Sequence, residues 1–168
     1  ISAGGFGVGP IETLLAELLT LRTPAQIVAI AGKSAELKAK LERLAQSLSA
    51  KRAAISTLVP IGFTTQMDQY MAAADILISK PGGLTTAEAM ARRLPMCIVN
   101  PIPGQEERNS DHLLEAAVAI KSNNPPTLAW KLEQLIDQPD RLEAMRAGTQ
   151  ALAHPRAAQT IVNTLLDP

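Results

Sequence analysis

The chain has 168 residues, 46% of them hydrophobic, and its 16 lysines and arginines balance 16 aspartates and glutamates. That length buries a full core as one domain, while zero net charge, no basic stripe and 2% aromatic content argue against a nucleic-acid partner. No apolar run approaches the roughly 20 residues of a membrane span and no signal peptide is visible, which predicts a cytoplasmic protein touching a membrane at most peripherally. Cys97, in "PMCIV", reads as a buried small hydrophobe of a reducing compartment.

Ile1, Ser2 and Ala3 read as the tail of a strand, so the chain is expected to be a piece of a longer, two-domain protein. Gly4, Gly5, Gly7 and Gly9 follow, then Pro10 at a first helical position and Leu14, Leu15, Leu18 and Leu19 at helical spacing. Further strands are predicted at 26–32, 53–60, 75–79, 94–100 and 117–121, each preceded or followed by an amphipathic helical segment. The tail from Thr127 reads as three helices broken near Pro139 and Pro155. Apolar strands alternating with helices predict an α/β fold: a Rossmann-like, doubly wound parallel sheet of about six strands, with helices on both faces and a helical carboxyl-terminal tail. Residues 1–168 form one domain in this reading. Ligands of such sheets sit at the carboxyl ends of the strands, near the switch in strand order.

The loops at that edge carry the chemistry. A bare glycine turn entering a helix is an anion site, because unpaired amides and the helix dipole meet there. The dinucleotide fingerprint G-x-G-x-x-G fails, since Pro10 stands where the third glycine belongs, and no G-K-[ST] follows for a P-loop. After the third strand, "IGFTTQ" offers the main chain of Phe63 and Thr64 to the edge of a base, with Thr64 or Thr65 as a cap for the next helix. After the fourth, "SKPGGLTTAE" contains Thr85 and Glu88 at capping-box spacing. Glu88 is therefore either a cap or a carboxylate for ribose hydroxyls, and Lys80 faces phosphate or solvent. After the fifth, "PIPGQEERN" places Gln105, Glu106 and Asn109 in one helical turn, a mixed amide and carboxylate set that suits sugar hydroxyls. His112 reads as a surface histidine.

Together "GGFGVGPIE", "AGKSAELKAKLERL", "GFTTQMDQYMAAADILISKPGGLTTAEAMARRLP" and "PIPGQEERN" resemble the carboxyl-terminal, donor-binding domain of GT-B glycosyltransferases. The likeness is to diacylglycerol glycosyltransferases (monogalactosyldiacylglycerol and diglucosyldiacylglycerol synthases) and the MurG-like family. It implies a UDP-sugar donor, with Gly5, Gly7 and Gly9 at the diphosphate, the Phe63 and Thr64 main chain at uracil, Glu88 at the ribose, and Gln105, Glu106 and Asn109 at the sugar. Phe6 departs from the polar residue common in that loop, and Arg92 and Arg93 replace a small residue and a glycine. The resemblance further implies inverting transfer of a hexose to a diacylglycerol-like lipid held by an amino-terminal domain that also supplies the general base. No cofactor and no metal are expected, since the chain has neither D-x-D nor a carboxylate cluster. A UDP-sugar epimerase and a non-catalytic nucleotide-sugar-binding domain are the alternatives.

Overall fold

The computed structural model describes residues 1–2, 11–50 and 55–166. Gly5, Gly7 and Gly9, and the predicted helical start at Pro10, lie outside the described residues.

Helix α1 (Ile11–Leu18) buries Ile11, Leu14, Leu15 and Leu18, the i, i+3, i+4, i+7 stripe that makes a helix amphipathic. Strand β1 (Gln26–Ile30) pairs in parallel with β2 (Thr57–Ile61), Gln26 opposite Thr57 and Ile30 opposite Ile61, with α2 (Ala35–Ala50) as their crossover. Beyond α3 (Met67–Ala73), strands β3 (Leu77–Ser79), β4 (Met96–Ile98) and β5 (Ala119–Lys121) form a second parallel ladder, crossed by α4 (Gly83–Ala91) and α5 (Gln105–Glu115). A 3₁₀ turn (Pro125–Thr127) leads into α6 (Leu128–Ile136), α7 (Pro139–Leu152) and α8 (Ala157–Leu166). The prolines thus stand where the tail breaks: Pro139 is the first residue of α7, and Pro155 lies between α7 and α8.

Residues 1–2 join the two ladders. The Ile30 N–H donates to the Ile1 carbonyl (2.9 Å), and the Ser2 N–H donates to the Ile78 carbonyl (3.1 Å). Ser2 also forms a parallel bridge with Ile30. The order across the sheet is therefore β2, β1, residues 1–2, β3, β4, β5: five strands and a sixth, short segment at the centre. This is the doubly wound order, with the central segment as strand one, and its switch point falls between that segment and β3. The observed strands are shorter than the predicted runs, because apolar sequence continues past the last ladder bond into buried positions such as Ala31 and Val99.

Two apolar clusters hold the layers. One gathers α1, β1, α6 and Cys97; the other joins β3, β4, α4 and α5 through Met90, Met96, Ile98 and Leu113. Cys97 is fully buried, and burial pushes its thiol up to about 12, so it stays protonated and inert, as its apolar context predicts. Glu133 on α6 fastens the turn after α1: its carboxylate accepts the Arg22 N–H (2.9 Å) and Nε–H (3.1 Å) and pairs with Nη2 (3.0 Å). No described helix is long and apolar enough to cross a membrane.

Candidate functional site

The carboxyl edge of the sheet gathers the loops that follow β1, β2, β3 and β4. Two of them meet directly. Asn109, one turn into α5, donates from Nδ2 to the Pro81 carbonyl (2.8 Å), which ties the loop after β3 to the helix after β4. A Cβ added to Gly83 would stand 3.7 Å from Gln105 Nε2, and one added to Gly82 would stand 4.0 Å from Glu106 Oε1. The structure thus brings Gln105, Glu106 and Asn109 together against Pro81, Gly82 and Gly83.

Neither glycine is required by the backbone. Gly82 has φ −65° and ψ 146°, ordinary extended values, and Gly83 is not left-handed. The distances to Gln105 and Glu106 are ordinary contacts, so alanine would fit. What two missing side chains leave is open ground in front of an amide and a carboxylate. Gly104 is different: its φ of +102° and ψ of −111° suit only glycine, and it turns the chain into α5.

The carboxylates of this helix start have distinct partners. Glu106 Oε2 accepts the Ile102 N–H (2.7 Å), which bends the preceding loop back over the helix. Glu107 Oε2 reaches back to the Gly104 N–H (3.4 Å), the return half of a capping box. Both acids also complement the positive end of the dipole.

Glu88 is not a cap. Helix α4 begins at Gly83 with Gly82 as its N-cap, and the Thr86 N–H closes the first turn on the Gly82 carbonyl (2.8 Å). Thr85 therefore sits inside the first turn rather than at the N-cap, and among the described residues Glu88 makes no return bond to its N–H. The N-cap falls three residues earlier than the capping-box spacing implies, because Gly83, whose φ is not positive, can open the helix. Glu88 is exposed on the stripe it shares with Leu84, and among the described residues its carboxylate has no hydrogen bond or ion pair. The first amides of α4 have no side-chain cap, and neither do those of α3.

Thr64 and Thr65 do not cap α3, whose N-cap is Gln66. Thr64 Oγ1 accepts the Gln66 N–H (3.0 Å) in a local turn. Among the described residues no hydrogen bond engages the main-chain groups of Phe63 and Thr64. The Phe63 ring is 61% exposed, and Lys33 Nζ, from the loop after β1, lies 5.6 Å from its centroid. Sequence reading passed over this pair, because a contact between residues thirty apart leaves no local pattern. Its one trace is a lysine directly after a strand, Gly32 supplying the left-handed turn (φ 61°).

Phe63 and Gln105 lie toward opposite ends of the edge. β2 and β4 are four strand spacings apart, roughly 19 Å at about 4.8 Å each, with the switch point between them. Arg92 and Arg93 stand apart from these loops. Arg92 pairs with Asp68 (2.9 Å), and Arg93 adopts φ 56°, the conformation for which glycine is the easy choice.

Comparison with known proteins agrees with this architecture. The family described as Glycosyl transferases group 1 matches residues 11–153. A curated relative, the processive diacylglycerol beta-glucosyltransferase of Staphylococcus aureus strain Newman, is 34% identical over 168 residues, which is 99% of this chain and 41% of the relative. The chain thus spans less than half the length of that relative. Among solved structures, Acinetobacter baumannii MurG superposes with a TM-score of 0.77 at 21% identity, over 99% of this chain and 48% of that one. The glycosyltransferase VinC, in complex with dTDP, does so with a TM-score of 0.58 at 19% identity, over 86% of this chain and 34% of that one. These two likenesses concern the fold.

Proposed function

We propose that this chain, which belongs to the glycosyl transferases group 1, is the donor-binding part of a glycosyltransferase that moves a hexose from a UDP-sugar to a diacylglycerol-like lipid. The observation that carries the reading is the open ground at Gly82 and Gly83, faced by Gln105 and Glu106 and beside a sheet switch point. Hydroxyl-rich ligands need donors and acceptors within hydrogen-bond reach and no side chain in the way. In this proposal the donor lies along the sheet edge. Uracil meets the unengaged main chain of Phe63 and Thr64, Glu88 accepts from the ribose hydroxyls, and Gly5, Gly7 and Gly9 supply amides to the diphosphate. Gln105, Glu106 and the free Oδ1 of Asn109 hold the sugar. The span between β2 and β4 is that of an extended nucleotide-sugar.

The chemistry proposed is inversion: an acceptor hydroxyl, deprotonated by a general base, displaces the nucleoside diphosphate at the anomeric carbon without a metal. Fixed amides and helix N-termini suit the charge growing on the departing phosphate, since they need no reorganisation. Base and lipid site belong to an amino-terminal domain, and any membrane contact is peripheral on the cytoplasmic side. The relative's name supplies the lipid acceptor in this reading.

The test is a calorimetric titration of the 168-residue chain with UDP, repeated for Glu88→Ala. Binding by the parent and a loss of about 1–3 kcal/mol in the variant support the reading, the magnitude being that of hydrogen bonds to a charged group left unmade. A parent that ignores UDP refutes it. A folded variant with parental affinity removes Glu88 from the site.

A further inference from the structure

We propose that two copies of this chain pair through α8, antiparallel about a two-fold axis, each seating its terminal leucines in the groove where the other's α7 turns into α8. Each of the helices α1 to α7 buries at least one residue, and α8 buries none. Leu165 is 75% and Leu166 73% exposed, and Ile161 and Val162 are exposed beside them. A helix of ten residues is shorter than water supports by itself, and its stability comes from an apolar face packed against something. The pairing is independent of what the sheet edge binds.

The two halves of α8 differ in what they need. At 3.6 residues per turn, Ala157, Ala158, Ile161, Val162, Leu165 and Leu166 fall on one half of the helix, and Gln159, Thr160, Asn163 and Thr164 on the other. The polar half satisfies itself: Gln159 Nε2 donates to Asn163 Oδ1 (2.7 Å), and the Thr164 hydroxyl donates to the Thr160 carbonyl (2.9 Å). The apolar half is left bare, a continuous patch of the kind that marks an interaction surface. No Asp, Glu, Lys or Arg stands anywhere in α8. That absence selects the occupant. A helix lying on an anionic bilayer carries lysine and arginine on its polar half, whereas a second copy of an uncharged helix meets no like charge.

Shape selects the direction. The apolar half is small where it begins, at Ala157 and Ala158, and large where it ends, at Leu165 and Leu166. A second helix turned end over end about a point between Ile161 and Val162 sets Leu166 against Ala157 and Leu165 against Ala158, and the two-fold axis repeats both contacts. The receiving end is hollow as well. A groove of about 400 Å³ lies at the turn from α7 into α8, with Ala153, Pro155, Ala157 and Ile161 as its apolar lining. His154 and Arg156 line it too, and the partner helix brings its carboxyl terminus, the negative end of its dipole, to these two basic side chains. Parallel pairing would set leucine on leucine and fill neither groove.

The experiment is sedimentation equilibrium of the 168-residue chain from about 1 to about 500 μM. Two short helices bury less than a standard interface, so the expected result is a monomer–dimer equilibrium with a Kd on the order of 100 μM. The double variant Leu165→Ser, Leu166→Ser is expected to raise that Kd by roughly tenfold or more, the loss of two central apolar anchors. Its melting temperature at low concentration should match the parent's, since neither leucine is buried. Direction is read by crosslinking under mild oxidation, with the native Cys97 buried and inert. An Ala157→Cys chain mixed with a Leu166→Cys chain is expected to form the mixed disulfide in preference to either self-pair. A chain that stays monomeric throughout overturns the pairing, and so does a double serine variant that dimerises like the parent. Preferential self-pairing of the Ala157→Cys chain overturns the antiparallel arrangement. A monomer that binds phosphatidylcholine vesicles through the same leucines overturns the second copy and puts a bilayer in its place.

Discussion

Alanine at Gly82 and Gly83 separates a packing role from a ligand role more sharply than any other change. The added Cβ atoms would stand 4.0 Å from Glu106 Oε1 and 3.7 Å from Gln105 Nε2, so neither collides. Gly82 has φ −65°, which alanine adopts freely, and Gly83 is the first residue of α4. Replacing glycine where the conformation is compatible restricts the unfolded chain, and the expected change is a gain of about 0.4–1 kcal/mol per site. In a domain of this size that raises the melting temperature by roughly 1–4 °C. Binding should move the other way, because each methyl stands on ground that the sugar occupies. Overpacking at a filled site costs about 1–3 kcal/mol, or roughly five- to more than hundredfold in affinity for a UDP-sugar. UDP lacks the sugar and should lose far less. Urea unfolding and calorimetric titration of the same preparations read both signs. A double variant that is destabilised shows the glycines to be structural. One that is stabilised and binds UDP-sugar as the parent does shows the open ground to be unused, and the reasoning fails.

Other outcomes follow from single contacts. Asn109→Ala removes the bond to the buried Pro81 carbonyl, and a lost partner of that kind costs about 1–3 kcal/mol in urea unfolding; an unchanged midpoint would show the two loops to be held by other means. Arg22 holds the Glu133 carboxyl below its ordinary value of 4.5, chiefly by hydrogen bonds from its side chain. A depressed acid stabilises the fold above its unfolded value and loses that contribution as pH falls through the folded one, so melting temperatures should drop faster below pH 4.5 in the parent than in Glu133→Gln. Parallel curves would remove the pair from acid stability. Ala117 sits at φ 54°, where a Cβ is strained, and Ala117→Gly should raise stability by about 1 kcal/mol in the same assay. A loss there would mean that the alanine methyl packs better than its strain costs.

Much of this molecule can be read along the chain. The α1 stripe, the apolar strands of the parallel ladders and the prolines at the breaks of the tail are local patterns, and burial at fixed periods leaves its mark in any sequence. The resemblance to GT-B diacylglycerol and MurG-like glycosyltransferases is legible for the same reason: "KPGG" and "PGQE" are each contiguous, and the structure brings these two stretches together. What local pattern could not decide was which of two valid local uses a residue takes. Thr85 and Glu88 have the spacing of a cap, yet α4 starts at Gly83 and leaves that carboxylate unengaged. Asn109 reads as a ligand for a sugar, and its amide nitrogen is committed to Pro81 across 28 residues.

The sequence by itself determined the layers, the crossovers and the residue types offered at each loop, because secondary structure and burial follow from neighbours a few positions away. Only the tertiary structure decided that residues 1–2 lie between β1 and β3, that Lys33 rests on Phe63, and that Gln105 and Glu106 face two dispensable glycines. Those pairings depend on how strands line up across a sheet. The energy that sets that alignment is spread over many distant contacts, none of which is visible from one loop alone.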